Sequence, residues 1–106
     1  MNAFRLLLLL LVMAAAGVLH AQTPQERAQK VAVTLSLTDV APGDVAHFVE
    51  LLSNVKIHFQ GRPGDTTVLS VNFENVTTDE ALKYIAKLAD LELAYKDDGA
   101  YFTPKK

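Results

Sequence analysis

The sequence predicts an α+β fold in which two helices pack with small β-sheets, in the order β-α-β-β-α-β-β. Three observations carry this expectation. Short runs alternate apolar and polar residues with period two, two longer runs place apolar residues at helical spacing, and Pro, Gly, Asn and Asp collect between the runs.

The first residues stand apart from that pattern. Met1 to Arg5 carry a positive side chain, Leu6 to Met13 are apolar without a break, and Ala14 to Gly17 lead to the small residue Ala21, the layout of a secretory signal peptide. Met1–Ala21 is therefore expected to direct export and to be removed, with the cut after Ala21 or, for a shorter signal, after Ala16. Leu6 to Leu19 falls short of the roughly 20 apolar residues that span a bilayer, so no stable membrane span is expected after cleavage. The next stretch, residues 22–30, is polar and aperiodic and reads as a flexible leader.

The folded domain is expected over residues 31–104. Val31, Val33, Leu35 and Leu37 alternate as a half-buried strand, and Asp39 to Gly43 turn the chain. In PGDVAHFVELLS, Val45, Phe48, Val49 and Leu52 form one helical stripe, and Asp44 lies in the first turn, where negative charge suits the helix dipole. VKIHF alternates again at Val55, Ile57 and Phe59 before the loop QGRPGD, residues 60–65. Leu69, Val71 and Phe73 mark a third strand. Thr77 or Thr78 then caps a second helix with the stripe Ala81, Tyr84, Ile85 and Leu88; with Thr77 as the cap, Glu80 is placed to reach back to it. Leu91, Leu93 and Tyr95 alternate as a fourth strand, Asp98-Gly99 is a hairpin turn, and Ala100 to Pro104 closes the hairpin.

At a constant offset of 36 positions, residues 33–59 and 69–95 share one apolar pattern: Val40 meets Val76, Phe48 meets Tyr84, Leu52 meets Leu88, and 55, 57 and 59 meet 91, 93 and 95. Two similar strand-helix-strand units can thus share a core.

Composition removes several functions. Ten basic against twelve acidic residues give a formal charge of −2, which offers no cationic footprint for nucleic acid. The absence of cysteine excludes a disulfide scaffold, thiol catalysis, a Cys-based metal site and lipid attachment after export. Asp44, His47 and Glu50 fall at metal-ligand spacing on the first helix, but all three avoid its apolar stripe and read as a solvated face. No serine stands in a nucleophile motif, and QGRPGD lacks the spacing of a phosphate-binding loop, so neither an enzyme nor a cofactor or metal site is expected.

The run VLSVNFENVTTDEALKYIAKLADLELAYKDDGAYFTP resembles the short N-terminal domain shared by bacterial secretins and TonB-dependent outer-membrane receptors, and VTLSLTDVAPGDVAHFVELLSNVKIHF is similar to the first half of that domain. The resemblance covers residues 31–104. It implies two helices held between small sheets, a periplasmic location, and action by protein contact within an outer-membrane secretion, transport or signal-transduction assembly. The implied partner is an envelope protein, such as a component of a secretin or TonB-dependent receptor system.

Strands at the borders of such sheets can pair with a strand of a partner. The segments Val55–Phe59 and Ala100–Pro104 are the expected edges, with His58, Tyr101 and Phe102 as expected partner-binding residues. Alternation also directs Tyr101 or Phe102 toward the core. A second expected reading is a small periplasmic protein that binds a ligand or cell wall in the cleft between the first helix and QGRPGD.

Overall fold

The computed structural model describes residues 22–105, so the expected signal peptide lies outside the described residues. The elements in chain order are α1 (Pro24–Lys30), β1 (Ala32–Val40), α2 (Pro42–Ser53), β2 (Ile57–Phe59), β3 (Leu69–Thr77), α3 (Thr78–Ala89), β4 (Leu91–Lys96) and β5 (Gly99–Pro104). The class is α+β, with one helix more than the sequence predicts.

That helix replaces the expected flexible leader. Thr23 accepts the Glu26 N–H at 3.1 Å, Pro24 starts the first turn, and Arg27 and Lys30 lie toward the negative end of the dipole. Seven residues are too few to display a period, and only Ala28 is fully buried, where α1 packs against α3. Capping chemistry and one small residue, rather than an apolar stripe, hold this helix.

The strands form two sheets. β1 and β3 pair antiparallel in one; in the other β5 lies between β2, to which it is parallel, and β4, to which it is antiparallel. Both long helices contact each other and a strand of each sheet. The core between the layers holds Val45, Val49, Leu82, Ile85, Ala100 and Phe102, none of them solvent-exposed.

An approximate two-fold axis relates the two units seen in the sequence. On the β1–β3 ladder Ser36 faces its own equivalent, Asn72, and the other pairs exchange under the 36-residue offset: Leu35 with Phe73 becomes Val71 with Leu37, and Val33 with Val76 becomes Leu69 with Val40. The backbone repeats it too. The positive-φ residues Asp39 and Asn75 interrupt the ladder, with their N–H groups donating to the hydroxyls of Ser70 (3.2 Å) and Thr34 (3.0 Å). Asn54 and Asp90 end α2 and α3 in the left-handed conformation that Asn and Asp tolerate. On the other sheet the axis passes through Tyr101, flanked by His58 and its equivalent Ala94.

Burial corrects the expected stripes. Val45, Val49, Ala81 and Ile85 are buried as expected, but Phe48, Leu52, Tyr84 and Leu88 are 41%, 51%, 45% and 40% exposed. Ala46, Leu82, Ala86 and Ala89 take the buried positions instead. The helices lie between two sheets and against each other, so the buried arc combines Leu82 and Ile85 with alanines that permit close approach, and Phe48, Leu52, Tyr84 and Leu88 lie at its margins.

The strand at the centre, β5, depends on close contact. Gly99 has φ +150°, and a Cβ there would collide with the Lys56 carbonyl, which accepts the Ala100 N–H at 2.9 Å. Gly99→Ala is expected to cost about 2–4 kcal/mol in chemical denaturation, the strain of the backbone plus a displaced hydrogen bond. The repeat also exposes a gap in capping: Thr77 accepts the Glu80 N–H at 3.2 Å, whereas its equivalent, Ala41, has no side-chain cap. Ala41→Thr is expected to raise stability by about 1 kcal/mol in the same measurement.

Candidate functional site

The β1–β3 sheet has only two strands, so each has an outer edge without a strand neighbour among the described residues. Thr34, Ser36, Ser70 and Asn72 face solvent on one side of it, while Val71 and Phe73 face the helices. A cavity of about 610 Å³ opens between this sheet and the flank of α3, bordered by residues of both sheet faces, Ser36, Ser70 and Asn72 among them. Leu37, Val71 and Phe73 form its apolar floor, and Glu80 and Tyr84 its wall. The Tyr84 ring stands edge-on to Phe73, with centroids 5.7 Å apart.

Glu80 is the one charged residue in that lining. Thr77 is the helix cap, as the sequence allows, but only half of the expected reciprocal arrangement forms: the Thr77 hydroxyl accepts from Glu80, and the Glu80 carboxylate makes no hydrogen bond or ion pair among the described residues. Thr78 does other work. Fully buried, it donates its N–H and its hydroxyl to the Val31 carbonyl, each at 2.8 Å, and ties the start of α3 to the start of β1.

The expected interface residues separate. His58 and Tyr101 come together, their rings stacked at 4.2 Å with 16° between planes. The Tyr101 hydroxyl donates to Asp98 at 2.7 Å, His58 Nε2 lies 3.4 Å from the same carboxylate, and Lys96 Nζ sits 4.4 Å from the Tyr101 ring centroid. The Tyr101 hydrogen bond holds the Asp98 carboxyl below its usual range. Phe102 is corrected: it is fully buried on the opposite face of β5 and is core, not contact surface. The expected edge Ala100–Pro104 is likewise corrected, because β5 is paired on both sides; β2 is an edge, but only three residues long.

Other candidate groups are occupied structurally. Arg62 of QGRPGD donates to the carbonyls of Ala89 at 3.2 Å and Asp90 at 2.6 Å, where its charge also meets the negative end of the α3 dipole. Glu50 turns toward β2 and accepts the Ile57 N–H at 2.6 Å, away from a shared site with His47. Among the described residues no three His, Asp or Glu side chains converge as metal ligands, and no helix is long and apolar enough to cross a membrane. A smaller cavity of about 250 Å³ does lie between the start of α2 and the 60–65 loop, bordered by Asp44, Phe59 and Arg62.

Comparison of the chain with family models, with curated proteins and with solved structures yields no match.

Asp79, in the first turn of α3, is 7% exposed and accepts from the Tyr95 hydroxyl at 2.5 Å and from Lys83 Nζ at 2.9 Å. Burial alone would push its carboxyl up, but the bonds from Tyr95 and Lys83 and the lysine charge outweigh it and hold the carboxyl below its usual range. Burial and the same carboxylate push the Tyr95 phenol up, keeping it a donor. A carboxyl depressed in the folded state stabilises fully above its unfolded pKa of about 3.9 and loses that contribution as pH falls through the folded pKa. Tyr95→Phe is expected to cost about 1.5–3 kcal/mol at pH 7, the range for a hydrogen bond to a charged group. Thermal melts from pH 7 down to pH 2 are expected to show a smaller acid-induced loss in the variant than in the parent.

Proposed function

We propose that the protein is a non-enzymatic interaction module of the bacterial cell envelope, exported to the periplasm and accessory to an outer-membrane secretion, transport or signalling assembly. The observation that carries this reading is the two-stranded β1–β3 sheet, with nine residues in each strand and, among the described residues, an unpaired outer edge on each, beside an open cavity with a half-exposed tyrosine. Unpaired N–H and C=O groups along such an edge accept a partner strand, and aromatic side chains beside it add contact area. The signal-like residues 1–21 and the resemblance to the secretin and TonB-dependent receptor domain support the location and the class of partner. The non-enzymatic reading draws on the Asp79 carboxylate, which the Tyr95 hydroxyl and Lys83 hold between α3 and β4, outside the lining of the cavity beside β3.

The cleft beside Arg62 favours a second reading, a small ligand- or cell-wall-binding protein. A rise in melting temperature with peptidoglycan fragments would distinguish it, since a ligand that binds only the folded chain stabilises it.

The main reading is tested with a photo-reactive phenylalanine analogue in place of Tyr84 in exporting cells. The expected result is a discrete adduct with an envelope protein, identified by mass spectrometry, and none from the exposed position 92 on the far sheet. No adduct from position 84, or the same adducts from both positions, would refute the reading.

A further inference from the structure

We infer that the β3 edge and the adjoining flank of α3 form a groove for an extended segment of a partner protein that carries one lysine or arginine among alternating apolar residues; this rests on the interaction reading above. α3 follows β3 through a direct turn and packs back along it. Glu80, Tyr84 and Leu88 are four residues apart in turn, so they form one line along the helix. Tyr84 and Leu88 are both substantially exposed, and Tyr84 leans on Phe73 of the strand. A chain laid beside β3 would satisfy its outer backbone groups and set alternate side chains over this line.

The first part of that edge is open. Proteins protect free edges with proline, charged residues, bulges or short strands. In β3 the charge of Glu74 and the bulge at Asn75 stand near the end of the strand, while LSVNF, residues 69–73, carries none of these. Charge then selects the occupant. Glu80 is the only charged group lining the cavity, and its carboxylate lacks a partner among the described residues, so a cation in the incoming segment is its complement.

The same reasoning disfavours a second copy of the chain. The internal repeat places Asp44, Phe48 and Leu52 on α2 as Glu80, Tyr84 and Leu88 stand on α3, and α2 packs along β1. Each free edge of this sheet is therefore flanked by a helix that begins with an acid, and joining two copies edge to edge would set carboxylate against carboxylate.

The test is a titration of the ¹⁵N-labelled protein with a synthetic nine-residue peptide of alternating Val and Thr with one central Lys, and with its Glu-for-Lys counterpart. The Lys peptide is expected to shift the amides of Ser70, Asn72 and Glu74 and the signals of Tyr84. Its Kd is expected to rise about tenfold in Glu80→Lys, an effect of the size that reversing one charge of a pair can produce, and by less in Glu80→Gln, with Asp44→Lys unchanged. The Glu peptide is expected to bind Glu80→Lys better than the parent. Melting curves establish that each variant is folded, and Glu80→Gln preserves the test if the reversal is not.

Equal affinity of the parent for the two peptides, shifts confined to β2 or β4, or an equal loss in Asp44→Lys would overturn the inference. So would concentration-dependent shifts along β3 without peptide, which would put a second copy in the groove. An adduct from position 84 together with equal peptide affinities would refute the cationic segment and leave the interaction reading standing; absence of the adduct would remove both.

Discussion

The pairing of Ser36 with Asn72 is the constraint on which the other parts depend. Because each residue faces its own repeat equivalent, the antiparallel ladder forces the two strand-helix-strand units into opposite directions about one axis. The helices then descend from opposite ends of the sheet, and their following strands, β2 and β4, arrive antiparallel to each other on the far side of the core. Those two strands do not pair with each other. The space between them lies on the axis, and β5 fills it, accepting β2 in parallel and β4 in antiparallel register.

Much of this was legible in the sequence because it is written in period and spacing. The class, the five strands and the two long helices follow from alternation and helical stripes, and the 36-residue offset foreshadows the axis. Neighbouring strands were harder to read. Nothing local in GAYFTP says that the strand lies between two others, since a half-buried central strand and a half-buried edge alternate alike. Hence Phe102 was expected at an interface while its burial makes it core. α1 is hidden for a different reason: its signal is a cap, Thr23-Pro24 followed by Glu26, in a stretch without apolar periodicity.

The candidate groove was less legible still. Tyr84 and Leu88 belong to the apolar pattern, and pattern alone assigns them to the core; only the position of α3 between two sheets leaves them partly in water. Glu80 fitted a capping box by spacing, yet spacing does not decide whether its side chain turns back to the cap. The His58–Tyr101 pair, in contrast, sits where neighbouring strands meet, and its stacking with the Asp98 bond makes it a fastening of β2 to the hairpin.

The position of β5 has a consequence for the order of assembly. A chain made or threaded from its N-terminus can form β1, α2, β3 and α3 early, but β2 has no strand beside it until Gly99–Pro104 arrive, some forty residues later in the sequence. Non-local closure of this kind is slow compared with local pairing. The fold is thus held open on one side by its own topology, and completes only when the segment that lies on its axis has followed everything it joins.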